Sequence, residues 1–150
     1  MPGTLVTLPC GSRVRAAASY HRRECDPERD FGLYLDPHWA PSWPAEVVAW
    51  ENLGLPRDFE AAARAIRGAY ERARRGERVE VGCQGGIGRT GTVLACMAIL
   101  AGIPPREAVG WVRANYLLRA VETRVQEWWV EWFAGWLGLA PVPPRPEASA

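Results

Sequence analysis

Cys83 and Arg89 are the two side chains of this chain best suited to act together on a phosphate group. They bound the run Cys-Gln-Gly-Gly-Ile-Gly-Arg, which contains three glycines. Such glycines let the backbone turn tightly and aim several N–H groups inward, which makes a cradle for an anion. The arginine adds a planar fork of donors that fits two phosphate oxygens. The spacing therefore predicts a cysteine-dependent phosphoryl-transfer site.

A strand before the cysteine and a helix after the arginine would hold this loop in place. Val79 and Val81 favour a β-strand, and the residues after Arg89 form an apolar stretch at helical spacing. The N-terminus of that helix carries partial positive charge, which strengthens the anion cradle. The same field favours the thiolate of Cys83, which we expect at the floor of the cradle as the nucleophile.

The stretch Cys83-x5-Arg89-Thr90-Gly91 resembles the signature of the protein tyrosine and dual-specificity phosphatases, and of their small single-domain bacterial members. The resemblance implies that Cys83 attacks a phosphate monoester and forms a thiophosphate intermediate, which water hydrolyses. It also implies that Thr90 bonds the sulfur and that no cofactor is needed. The implied phosphate ligands are Arg89 and the backbone amides of Gln84, Gly85, Gly86, Ile87 and Gly88.

The general acid of this family is the weakest part of the resemblance. The family carries an acid loop, Trp-Pro-Asp-Phe-Gly-x-Pro, ahead of the cysteine, and Trp50, Gly54 and Pro56 match it. Asn52 occupies the position of the catalytic aspartate. An amide cannot donate a proton to a leaving oxygen, and loss of a positioned acid costs roughly 10² to 10⁴ in rate.

Three accounts of Asn52 stay open at this point. In the first, another carboxylate serves as the acid, and the candidates are Asp36, Glu51 and Asp58. In the second, the leaving group of the substrate needs little protonation. In the third, the chain is a phosphate-binding domain of the same fold with little turnover. A recruitment of the pocket to other chemistry in a biosynthetic pathway is a more distant alternative. The family also has a histidine before the cysteine, where this chain has Gly82.

A second resemblance lies downstream of the cysteine. Val121, Glu122, Thr123 and Gln126 match a Val-Glu-Thr-x-x-Gln run that opens the last helix in dual-specificity and related bacterial phosphatases. In tyrosine phosphatases a nearby glutamine positions water for the second step, so the resemblance implies that Gln126 is catalytic. A helix-capping box with a solvated glutamine explains the same run equally well.

The order of predicted elements implies the α/β fold of the family, in three layers, with a mixed central sheet and helices on both faces. We expect one phosphatase-like domain over residues 1–138. The Pro- and Ala-rich tail, 139–150, is predicted to be disordered. The strands are predicted at 4–8, 13–17, 31–35, 47–50 and around 79–81. Helices are predicted at 58–75, from directly after Arg89 to 101, at 106–116 and from the Val-Glu-Thr-x-x-Gln run onward.

Composition sets the broad limits on function. The chain has 150 residues, 48% of them hydrophobic and 23% charged, as expected for one globular domain. A net charge of +1 gives no reason to expect nucleic acid or a membrane surface as partner. Two histidines without clustered ligands argue against a metal site, and a cysteine that must stay reduced favours the cytoplasm. The expected partner is a phosphorylated protein or a small phosphate monoester, and the oligomeric state is left open.

Overall fold

The computed structural model describes residues 4–18, 29–37 and 41–147. Within them the chain forms five strands and four α-helices, with a short 3-10 helix, Pro105–Glu107, before the third. The strands are β1 Leu5–Thr7, β2 Arg13–Ala18, β3 Phe31–Tyr34, β4 Ala45–Val47 and β5 Val79–Cys83, and the helices are α1 Phe59–Arg74, α2 Gly88–Leu100, α3 Ala108–Asn115 and α4 Arg124–Trp136.

The strands form one mixed sheet in the order β1-β2-β5-β3-β4. β1 runs antiparallel to β2, and the other pairs are parallel. β5 lies in the centre, and all five of its residues are buried, as expected for a strand with both faces covered. Because parallel strands end at the same edge, the carboxyl end of β5 places Cys83 beside the ends of β2 and β3.

One face of the sheet carries the main hydrophobic core. Val79, Val81 and Cys83 of β5 belong to the same buried cluster as residues of all four α-helices. α1 begins after Asp58, whose Oδ1 accepts the N–H of Ala61 at 3.0 Å and confirms the predicted helix cap. The α/β class, with a mixed sheet and packed helices, is therefore confirmed. All four α-helices contribute residues to this core.

The other face of the sheet carries a buried polar network. Glu80 is 2% exposed and lies 3.0 Å from Arg29. Tyr34 donates to Glu80 at 2.6 Å and accepts from Trp43 at 2.8 Å. Burial and the Glu80 carboxylate raise the pKa of Tyr34, so its hydroxyl stays a donor. The Glu80 carboxylate and its partners thus link β5, the strand that ends at Cys83, to its neighbour β3.

Residues 139–147 differ from the predicted disordered tail. Trp128 of α4 donates its indole N–H to the carbonyl oxygen of Pro143 at 2.8 Å. The guanidinium of Arg145 lies 5.6 Å from the centre of the Trp128 ring. This stretch is therefore held against the aromatic side chains of α4, because those rings offer it both apolar surface and a hydrogen-bond donor. The end of the predicted tail, 148–150, lies outside the described residues.

No helix among the described residues is both long and apolar enough to cross a membrane. No group of three or more His, Cys, Asp or Glu side chains among them could hold a metal ion.

Candidate active site

The segment from Cys83 to Arg89, the cysteine loop, wraps around the sulfur of Cys83. The thiol group is buried, with 2% of the residue exposed, and Sγ accepts hydrogen bonds from two groups. These are the backbone N–H of Gly86 at 3.2 Å and the hydroxyl of Thr90 at 3.0 Å. Two donors aimed at one sulfur can stabilise negative charge that develops on it during a reaction, as a nucleophilic cysteine requires.

Glycine is needed at position 86 of the loop. Its φ is +70°, and a Cβ there would lie 3.0 Å from the carbonyl oxygen of Ala17 on β2. Tyr116, at the end of α3, donates to the carbonyl oxygen of Gly86 at 2.6 Å. Burial, with a smaller effect of Cys83, raises the pKa of Tyr116, so its hydroxyl remains protonated. That bond holds the Gly86 carbonyl while the N–H of the same residue points to Sγ.

Arg89 is fixed beside the loop by two backbone carbonyl groups. Its side chain is buried, and Nη1 donates to the carbonyl oxygen of Leu35 at 3.1 Å and to that of Trp50 at 3.0 Å. These bonds join the cysteine loop to the end of β3 and to the start of the acid loop. The guanidinium therefore has a set position before any ligand arrives, which limits the entropy lost on binding.

The cysteine loop lines a cavity of about 220 Å³, called here the active-site cavity. α2 begins at Gly88 after the apolar Ile87, so no side chain caps its first N–H groups, which suits an anion there. The cavity is lined by Cys83, Gln84, Gly85, Ile87, Gly88 and Arg89, together with Asn52, Leu53 and Glu122. A larger cavity of about 740 Å³ lies beyond the amino-terminal ends of β2 and β5 and contains none of the predicted site residues.

The acid loop, residues 50–56, is a compact turn at the edge of the active-site cavity. Trp50 donates its indole N–H to the carbonyl oxygen of Gly54 at 2.8 Å and pairs with Pro56 as an isolated bridge. Leu53 has a φ of +61°, which lets the turn close. Asn52, predicted from the family resemblance, lines the cavity at the position implied for the acid.

None of the three alternative acids lines the active-site cavity. The carboxylate of Asp58 caps α1. Glu51 is exposed and pairs with Arg57 at 3.2 Å. Asp36 is buried next to Leu35, but it is not part of the cavity wall. The first two were predicted from their nearness in sequence to the acid loop, and both have partners outside the cavity.

Gln126, predicted as catalytic, does not line the cavity either. It is fully buried, and its Oε1 accepts the backbone N–H of Glu122 at 2.8 Å. Thr123 caps α4 through the N–H of Gln126 and donates its hydroxyl to the carbonyl oxygen of Leu53 at 2.9 Å. The side chain of Gln126 therefore holds the backbone that precedes α4, and that backbone brings Glu122 to the cavity.

Glu122 is the site residue that the sequence prediction missed. It was noted only as part of the Val-Glu-Thr-x-x-Gln run, yet it is the one carboxylate that lines the active-site cavity among the described residues. The sequence feature that could have pointed to Glu122 is the helix cap at Thr123. A residue directly before a capped helix has a fixed backbone conformation. Its contact with the cysteine loop depends on tertiary packing.

The sequence model of the protein-tyrosine phosphatase family matches residues 41–123, more than half of the chain. That span contains the acid loop, the cysteine loop and Glu122. The chain belongs to the protein-tyrosine phosphatase family. The family fold implied by the sequence, a mixed sheet with the cysteine loop between a central strand and its helix, is confirmed.

Individual proteins are similar to this chain in sequence or in fold. An uncharacterised protein of Methanocaldococcus jannaschii is 37% identical over 107 residues, which span 63% of this chain but only 64% of that relative's length. The solved structure of Tk-PTP in its active form has a TM-score of 0.69 at 22% identity and covers 87% of this chain and 96% of its own. A kinase-associated phosphatase with its catalytic-site cysteine replaced by serine has a TM-score of 0.72 at 14% identity, covering 94% and 99%. At these identities the two structures show a shared fold.

Proposed function

We propose that this member of the phosphatase family hydrolyses phosphate monoesters through a thiophosphate intermediate on Cys83. The observation that carries the proposal is the surroundings of the sulfur. Cys83 and Arg89 both line the active-site cavity, and the Gly86 N–H and the Thr90 hydroxyl both donate to Cys83 Sγ. A binding module would need the anion cradle, but it would not need donors that stabilise a charged sulfur.

In the first step, the sulfur of Cys83 attacks phosphorus in line with the ester oxygen. A sulfur–phosphorus bond forms, the phosphorus–oxygen ester bond breaks, and the alcohol or phenol leaves. The amides of the cysteine loop and the guanidinium of Arg89 bind the equatorial oxygens and stabilise their charge. Both are already positioned in the free protein, so little reorganisation accompanies the reaction.

In the second step, water attacks phosphorus and Cys83 leaves as a thiolate. The Thr90 hydroxyl, 3.0 Å from Sγ, stabilises the negative charge that returns to the sulfur. Inorganic phosphate is then released. Because the nucleophile must be a free thiol, the proposal favours a reducing compartment such as the cytoplasm; Cys10, Cys83 and Cys96 are free in the described part of the chain.

The proposed substrates are phosphotyrosine or other phosphorylated residues of a protein, and small aryl phosphates. The active-site cavity is small and has the apolar side chain of Leu53 in its wall. An aryl group packed on Leu53 would orient the ester bond toward Cys83. Dual specificity, that is, hydrolysis of phosphoserine and phosphothreonine as well, belongs to the same proposal.

Steady-state release of phosphate from p-nitrophenyl phosphate tests this function. The wild-type protein should turn over, and Cys83→Ser should abolish turnover while it retains phosphate binding. The matched control is Cys10→Ser, because Cys10 is an exposed free cysteine outside the active-site cavity. Tight phosphate binding without turnover by the wild type would instead support a phosphate-binding domain, and turnover that survives Cys83→Ser would refute the proposed nucleophile.

A further inference from the structure

The active-site cavity contains a carboxylate at a place other than the family's acid loop. Among the described residues that line it, Asn52 is a neutral amide and Glu122 carries the one carboxylate. Glu122 is exposed, so its side chain can exchange protons with solvent. The cavity therefore has a carboxylate beside the cysteine loop, although the acid loop contributes none to the cavity wall.

The side chain of Glu122 lies directly against the start of α2. A Cβ built on Gly88 would collide with Oε1 of Glu122 and would lie 3.1 Å from its Cγ and Cδ. Gly91, one turn later, leaves equally little room, because its Cβ would lie 2.7 Å from the Cβ of Ala120. These two glycines let the segment before α4 approach the helix whose N-terminus faces the phosphate site.

The backbone that carries Glu122 is clamped on both sides. Arg113 donates to the carbonyl oxygen of Ala120 at 2.9 Å and to that of Val121 at 2.7 Å, and Gln126 accepts the N–H of Glu122. Val121 is buried and has a φ of +62°, which is strained for a β-branched residue. Such strain persists where the surroundings enforce it, and it is concentrated at functional sites.

We infer that Glu122 is the general acid of the first step and the general base of the second; the inference rests on the proposed phosphatase function. Protonated Glu122 gives its proton to the ester oxygen as the phosphorus–oxygen bond breaks. Glu122 is then a carboxylate, and it takes a proton from the attacking water as the new phosphorus–oxygen bond forms and the sulfur–phosphorus bond breaks. The cycle ends with Glu122 protonated again, and no further reagent is consumed.

Asn52 has a complementary role in this arrangement. Its amide can donate a hydrogen bond to the leaving oxygen or to the water, but it cannot transfer a proton. It also adds no second negative charge to a cavity in which Glu122 becomes a carboxylate after the first step. The exchange of the family's aspartate for Asn52 is thus consistent with a working enzyme whose acid comes from the segment before α4.

The test compares Glu122→Gln with wild type on aryl phosphates of different leaving groups. For phenyl phosphate, which needs an acid, kcat/KM should fall roughly 10²- to 10⁴-fold. For dinitrophenyl phosphate, whose anion leaves unaided, kcat/KM should stay close to wild type. That substrate also reports on folding, since its cleavage needs Cys83 and Arg89 in place. A burst of dinitrophenol followed by slow turnover would show the loss of the base in the second step.

Glu51→Gln is the matched control, because Glu51 is a nearby glutamate outside the active-site cavity. It should leave kcat/KM for both substrates unchanged, whereas Glu122→Gln should slow only the cleavage of phenyl phosphate. An unchanged dependence of kcat/KM on the leaving group in Glu122→Gln would overturn the inference alone. Failure of the wild type to cleave even dinitrophenyl phosphate would overturn the proposed function, and the role of Glu122 with it.

Discussion

The hydroxyl of Thr90 lies 3.0 Å from the sulfur of Cys83 and donates its hydrogen bond to it. Hydrogen bonds to charged groups contribute about 1.5 to 3 kcal/mol, or roughly 10- to 100-fold in rate if the charge forms only in the transition state. Thr90→Ala should therefore slow breakdown of the phosphoenzyme by about that factor, measured as a larger burst relative to steady-state turnover. Thr90→Ser, which keeps the hydroxyl, should behave like wild type. Equal breakdown rates in Thr90→Ala and wild type would contradict this role.

Restoring the family's acid should compensate for the loss of Glu122. In the variant Asn52→Asp/Glu122→Gln, a carboxyl group returns to the cavity wall at position 52. We expect kcat/KM for phenyl phosphate to rise at least roughly tenfold above that of Glu122→Gln. The measurement is made at mildly acidic pH, where the new carboxyl group is partly protonated. If the double variant is no faster than Glu122→Gln, Asn52 does not occupy an acid position.

Two helical glycines should respond in opposite ways to replacement by alanine. A Cβ on Gly68 in α1 meets no atom within 4 Å, so Gly68→Ala should raise the free energy of unfolding by about 0.5 to 1 kcal/mol through helix propensity. A Cβ on Gly91 would lie 2.7 Å from Ala120, so Gly91→Ala should lower it by about 1 to 3 kcal/mol. Urea unfolding of the two variants and the wild type measures both changes in the free energy of unfolding. A stabilising Gly91→Ala would show that the segment bearing Glu122 is not tightly packed on α2.

Tyr116 should make the stability of the fold depend on pH at the alkaline end. Burial, together with the charge of Cys83, raises the pKa of Tyr116 above its ordinary value. The unfolded tyrosine ionises near pH 10 while the folded one stays protonated, so the stabilisation is complete below about pH 10 and declines as the pH rises above it. Tyr116→Phe should cost about 1 kcal/mol at neutral pH through the lost bond to Gly86. In urea titrations the difference in unfolding free energy from wild type should narrow as the pH rises above about 10. A constant difference would contradict the assignment.

The parts of the site that the sequence predicted are those encoded locally. The glycines between Cys83 and Arg89, and the strand and helix around them, are adjacent in the chain, so their types and spacing define the loop. Asn52 could be placed because Trp50 and Pro56 frame its turn. In each case the position depends on backbone geometry within a few residues.

The parts that were missed depend on packing between distant segments. Nothing near Glu122 in the chain indicates that Gly88 leaves room for its carboxylate or that Arg113 clamps the backbone before it. Glu51 and Asp58 were candidates because they are close to the acid loop in sequence, and their side chains have partners elsewhere. The Pro-rich composition after 138 predicted disorder, whereas the rings of α4 give residues 139–147 a surface on which to pack.

The most direct test of the account is to trap the phosphoenzyme. The protein is mixed with dinitrophenyl phosphate, quenched with acid during turnover, digested and analysed by mass spectrometry. The account predicts one phosphoryl group on the peptide that contains Cys83, absent in Cys83→Ser and longer-lived in Thr90→Ala. Turnover with Cys83 unmodified at every quench time, or with the phosphoryl group on another residue, would contradict it.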